Sequence, residues 1–146
     1  MIRPAHILLV EDNLVDVELT LDAFREAHPS NTAHVASTGE QALDYLFGRP
    51  PFANRDVHPL PDLVPLDLKL PGSSGHDVLR SVKETPGLKR LPVVILTSSR
   101  EDSDRSQGYD SGVNSFLVKP VSFDGFLDVV RKIESYWLTL NVGLTD

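Results

Sequence analysis

The sequence predicts a single α/β domain built on a doubly wound, five-stranded parallel sheet with helices on both faces. Three observations lead there. Five short runs rich in β-branched and other apolar residues recur along the 146-residue chain. Three of those runs are continuously apolar, which suits strands covered on both faces. The segments between the runs carry apolar residues at helical spacing, so the pattern reads as consecutive βαβ units with right-handed crossovers.

The first run, Ile7-Leu8-Leu9-Val10, is followed by Leu14, Val17, Leu21 and Phe24 at intervals of a helical face. The second, Ala33-His34-Val35-Ala36, precedes Ala42, Leu43, Leu46 and Phe47. The third, Leu63-Val64-Pro65-Leu66, precedes Val78, Leu79 and Val82. The fourth is Val93-Val94-Ile95-Leu96, and the segment after it, 101–111, has Tyr109 as its one large apolar side chain and an internal Gly108, so it makes a weak helix. The fifth, Phe116-Leu117-Val118, leads into the strongest stripe, Phe123, Phe126, Leu127, Val130, Ile133 and Trp137. Two segments lie outside this frame. Residues 48–61 hold four prolines and read as a long loop. Residues 134–146 extend the last helix through Tyr136-Trp137-Leu138 and then end in a polar tail. Pro65 is out of place in a central strand, because it has no ladder N–H; either the strand takes a local bulge there or the position is a peculiarity of this sequence.

Composition narrows the function. Fourteen Lys and Arg against 21 Asp and Glu give a net charge of −7, which argues against a nucleic-acid interface or an anionic membrane surface. The absence of cysteine excludes disulfides, thiolate metal sites and cysteine nucleophiles. No apolar run approaches the roughly 20 residues of a membrane span, and Met1-Ile2-Arg3-Pro4 lacks the apolar stretch of a secretory signal, so a soluble, cytoplasmic domain is expected.

In open parallel sheets ligands sit outside the carboxyl ends of the strands. The residues at those ends are Glu11-Asp12, Asp67, Thr97-Ser98-Ser99 and Lys119-Pro120. Singly, each has an ordinary explanation: an acidic pair before a helix most often caps it, and a lone Lys is usually a surface charge. Jointly they place three carboxylates, a hydroxyl and an ammonium on one edge. Carboxylates about 5 Å apart repel by roughly 3 kcal/mol at an effective dielectric near 20, which favours a divalent cation between them. One of them can then act as a nucleophile toward phosphorus.

ILLVEDN at 7–13, DLKLPG at 67–72, VVILTSS at 93–99 and SFLVKP at 115–120 resemble, in order, the signatures of response-regulator receiver domains. The resemblance spans about residues 5–135. It implies a flavodoxin-like sheet of order 2-1-3-4-5, a core over about 5–133, the 48–61 insert within it and the 134–146 extension, all as one receiver domain over 1–146. By the same resemblance, Asp67 accepts a phosphoryl group from a sensor histidine kinase. Asp12, Glu11, Asp67 and the backbone carbonyl of Lys69 hold Mg²⁺. Thr97, the Ser98 N–H and Lys119 contact the phosphoryl group, Pro120 follows a cis peptide bond, and Phe116 is the switch aromatic that moves with Thr97. Lys69 and Ser99 line the route of attacking water. The 48–61 loop, GYDSGVNSFLVKP at 108–120 and SYWLTLN at 135–141 are similar to single-domain receivers that partner bacteriophytochromes or related kinases. Such a protein is a phosphoacceptor and not a multiple-turnover enzyme, and it signals through its own surface. Tyr136, Trp137, Leu138 and Leu140 suggest a homodimer through the last helix.

Three rivals remain at this point. A Mg²⁺-dependent aspartyl phosphohydrolase needs a second Asp two positions after the first, where Lys69 stands. A flavin or nucleotide binder needs a phosphate loop where Glu11-Asp12-Asn13 stands. A pseudo-receiver that only binds partners would not need all five key residues.

Overall fold

The computed structural model describes residues 5–27, 29–72, 74–97, 115–118 and 122–145, with backbone alone for 97, 115–118, 134 and 136–145. The elements run β1 (His6–Val10), α1 (Leu14–Ala27), β2 (Thr32–Ala36), α2 (Gly39–Phe47), β3 (Val64–Leu66), α3 (Gly75–Glu84), β4 (Val93–Thr97), β5 (Ser115–Val118) and α4 (Phe123–Thr145). The strands form one parallel sheet of order β2-β1-β3-β4-β5. The weak-helix segment 101–111 lies outside the described residues.

The continuous apolar runs are explained by two cores, one on each face. Leu8 and Val10 of β1, Val64 and Leu66 of β3, and Val93 and Ile95 of β4 join the cluster beneath α2 and α3. Ile7, Leu63, Val94 and Leu96 point the other way, onto Phe24 of α1 and Phe126, Val130 and Ile133 of α4. Period-two alternation thus persists, but both sides are apolar because both are covered.

Three expectations need correction. Of the stripe expected on α1, Phe24 is buried and Val17 and Leu21 are half-buried, but Leu14 is 77% exposed. The helix buries Thr20, Ala23 and Phe24, because only its second half packs on the sheet and α4. Thr20 tolerates burial by donating its hydroxyl to the Asp16 carbonyl, 2.7 Å away. Second, Pro65 causes no bulge. Ile7 bridges Leu63 and Val10 pairs with Leu66 at one constant offset, while β3 and β4 pair without a skipped residue. Leu8 N–H donates to the Leu63 carbonyl and Asp67 N–H to Val10, so the odd residues of this strand face β1. The Pro65 nitrogen therefore falls in the interrupted stretch of the β1–β3 ladder. Third, no polar tail follows Leu138, because helical backbone continues to Thr145. At about 1.5 Å per residue α4 is roughly 35 Å long, about twice the length of a five-residue strand.

The proline-rich segment is ordered against the end of α2. Gly48 caps α2 in the left-handed conformation, its N–H reaching the Asp44 and Tyr45 carbonyls. Arg55 donates to the carbonyls of Tyr45 (2.8 Å), Leu46 (2.8 Å) and His58 (3.2 Å), placing a cation where the helix dipole is negative. Tyr45 donates its hydroxyl to the Pro59 carbonyl, 2.9 Å away. The Pro50–Pro51 peptide bond is cis.

Phe126 is 1% exposed and joins α4 to the sheet and to α1. Phe126→Ala is expected to cost about 3–5 kcal/mol, read as a fall in the urea midpoint with unchanged slope.

Candidate functional site

β1 and β3 are adjacent, and Val10 pairs with Leu66. The residues after these strands therefore emerge side by side. Glu11 and Asp67 are nearly buried, at 3% and 7% exposure, and Asp12 is exposed. One carboxylate oxygen from each of the three lies within 4.8 Å of the other two. Among the described residues no other group of three potential ligands converges in this way.

Local bonding shows how the chain tolerates the crowding. The cap of α1 is Asn13, whose side chain accepts from the Asp16 N–H at 3.1 Å and whose carbonyl accepts from Val17. This displaces the ordinary explanation of the acidic pair as a helix cap. Glu11 Oε2 accepts from the backbone N–H groups of Asp12 and Asn13, both at 3.1 Å. Those bonds offset part of the cost of its burial. Asp12 carries the remaining charge toward solvent.

Asp67 is set by its own loop. Its N–H donates to the Val10 carbonyl (3.0 Å), and its Oδ1 accepts from the Lys69 N–H (3.2 Å). Gly75 N–H then donates to the Leu68 carbonyl (3.0 Å), folding α3 back onto the loop. A Cβ on Gly75 would lie 2.6 Å from the Leu68 Cα and closer still to the Asp67 carbonyl oxygen, so this approach requires glycine. Ser74 and Asp77 form a reciprocal capping box that fixes the start of α3. Gly72 has a φ of +75°, and any Cβ there would meet the Glu40 carboxylate at 2.8 Å. Gly75 escaped the sequence reading, although Ser74-x-x-Asp77 eight residues after a strand end was a usable signal.

Thr97 ends β4 and pairs with Val118 of β5, while Phe116 pairs with Ile95. The backbone thus places Thr97 on the same sheet edge as Glu11, Asp12 and Asp67. Ser98, Ser99, Lys119 and Pro120 lie outside the described residues. Lys69 is exposed, with its N–H on Asp67.

The donors are hard oxygen ligands on a rigid sheet edge, a set that fits a divalent cation such as Mg²⁺ or Mn²⁺. Glu11, Asp12 and Asp67 would hold it, and it would supply positive charge where an incoming phosphoryl group concentrates negative charge.

Residues 7–131 match the family model of the response regulator receiver domain, so the chain belongs to that family. Its relatives include the response regulator Rcp1 of Synechocystis, 35% identical over 135 residues, covering 92% of this chain and 90% of Rcp1. The Mn²⁺-bound form of Rcp1 superposes with a TM-score of 0.82, covering 92% and 95% of the two chains. The phosphorylated cyanobacterial phytochrome response regulator RcpA gives a TM-score of 0.86 at 34% identity, covering 94% of this chain and 96% of RcpA. The bacteriophytochrome response regulator AtBRR gives 0.74 at 45% identity, covering 89% and 92%. The protein is a receiver-domain response regulator of phosphorylation-based two-component signalling, homologous to phytochrome response regulators.

Gly75→Ala pushes the Asp67–Leu68 backbone away from the edge. It is expected to weaken divalent-cation binding by about tenfold or more in calorimetric titration, while circular dichroism still reports the fold.

Proposed function

We propose that Asp67 is the phosphoacceptor of this chain and that a histidine kinase of the phytochrome type is its donor. The observation that carries the reading is the convergence of Glu11, Asp12 and Asp67 beside the end of β4. A carboxylate oxygen of Asp67 attacks phosphorus, an O–P bond forms as the P–N bond of the donor phosphohistidine breaks, and the imidazole leaves. Glu11, Asp12 and Asp67, with the Lys69 carbonyl, would hold Mg²⁺. Thr97 and the Ser98 N–H donate to the phosphoryl oxygens, and Lys119 pairs with their charge. Phe116 follows Thr97, so that the phosphorylated state selects one arrangement of this edge. Pro120 orients Lys119 through a cis bond. Rcp1, RcpA and AtBRR support the phytochrome-type donor by likeness.

The reading extends to the rest of the chain. Residues 1–146 form one receiver, with a core over about 5–133, the insert at 48–61 and the extension at 134–146. The protein works in the cytoplasm as a phosphoacceptor and not as a turnover phosphatase, because Lys69 stands where a general acid would be needed. No described helix is long and apolar enough to cross a membrane, and the −7 charge disfavours nucleic acid. The stretch of α4 beyond the sheet, with Tyr136, Trp137, Leu138 and Leu140, pairs two copies.

Incubation with acetyl phosphate and Mg²⁺ is expected to produce a shifted band on phosphate-affinity gels that disappears in Asp67→Asn. Labelling that survives the substitution rejects the phosphoacceptor. Light scattering at micromolar concentration is expected to give a dimer mass, and a monomer with and without phosphorylation rejects the α4 pairing.

A further inference from the structure

The 48–61 segment runs from the end of α2 toward β3 and is anchored at both ends. At one end is the Gly48 cap of α2. At the other, Asp62 holds β1 twice: its Oδ2 accepts from the His6 N–H (2.9 Å) and its N–H donates to the His6 carbonyl (2.7 Å). Between the anchors it rests on an aromatic cluster. His58 of the segment lies 5.9 Å from His34 of β2, 5.8 Å from Tyr45 of α2 and 5.2 Å from Phe52, centroid to centroid. His34 is 5.4 Å from Tyr45. The Nδ1 atoms of His58 and His6 are shielded from solvent and have no partner among the described residues.

This packing suits a neutral imidazole at His34 and opposes a charged one. The fixed charge of Arg55 is already close, bonded to the His58 carbonyl. His34 faces Tyr45 from α2 and His58 from the segment, with His6 on neighbouring β1. Asp62 accepts from the His6 N–H, and Asp44 pairs with Arg49 at 3.2 Å. Burial first, then His58 and His6, lower the His34 pKa from its usual 6.5.

We propose that His34, packed against Tyr45 and the His58 ring of the 48–61 segment, is a proton-sensitive latch that docks the segment when neutral and releases its middle on mild acidification. A group whose folded-state pKa lies below its unfolded value stabilises docking fully above the unfolded value. That contribution is lost as the pH falls below about 6.5 toward the lowered value. Release exposes Phe52 and the Tyr45 ring while the Gly48 and Asp62 anchors hold, so the site at the opposite end of β3 keeps its geometry. The latch is independent of the phosphoacceptor reading.

Amide hydrogen exchange of the full chain between about pH 7.5 and 5.5, corrected for intrinsic rates, tests the latch. The amides of Phe52, Val57 and His58 donate to carbonyls within the segment and report on its docking. Their protection is expected to fall about tenfold, with protection in β1 and β4 unchanged, and the fall is expected to vanish in the His34→Phe, His58→Phe double variant. Protection that does not change with pH, or an equal loss in the double variant, overturns the latch. Should the double variant misfold, the wild-type His34 ring resonance decides: a titration midpoint below 6.5 supports the latch, and one at or above 6.5 overturns it.

Discussion

Like charge gathered at one point of the sheet edge is the constraint around which this domain is arranged. Three carboxylates within 4.8 Å of one another repel by a few kcal/mol, and two of them are nearly buried. Left alone, they would move apart. They are held by backbone: the Val10–Leu66 pairing, the Val10–Asp67 bond and the crowded passage of Gly75 against the loop after β3. A divalent cation between them would relieve that repulsion. The core on each face makes the edge rigid enough for the geometry to persist.

The same economy explains the helix starts around the site. Asn13 caps α1, leaving Asp12 free for the solvent side of the cluster, while Glu11 turns back onto two backbone N–H groups. Ser74 and Asp77 cap α3, so the loop from Asp67 to Gly75 is fixed at both ends. Thr97 reaches this edge because β4 pairs directly with β3. Family membership and the likeness to Rcp1 and RcpA agree with this arrangement, which itself rests on register and crowding.

Much of this was legible in the sequence where the signal was periodic or sat at a strand end. Continuous apolar runs such as Val93–Leu96 betrayed a sheet covered on both sides, and Glu11, Asp12 and Asp67 were found because strand ends carry the chemistry. The inward face of α1 was not legible. The stripe Leu14, Val17, Leu21 and Phe24 runs past the buried one, sharing Phe24 and leaving Leu14 exposed, because only the second half of α1 packs on the sheet and α4. Pro65 suggested a bulge because a strand's tolerance for a missing N–H depends on which neighbour it faces. Loop composition likewise hid the docking of 48–61, since the bonds of Arg55 and Tyr45 are contacts to main-chain carbonyls that no side-chain pattern reports.

The most direct test of the phosphoacceptor is to trap the acyl phosphate chemically. Borohydride reduction after incubation with acetyl phosphate and Mg²⁺ converts a phosphorylated aspartate to homoserine, which tandem mass spectrometry locates in the chain. The account predicts homoserine at position 67 and nowhere else, and none when the divalent cation is chelated. Phosphate on a serine, threonine or histidine, or no conversion at 67 while calorimetry shows the cation bound, would contradict it.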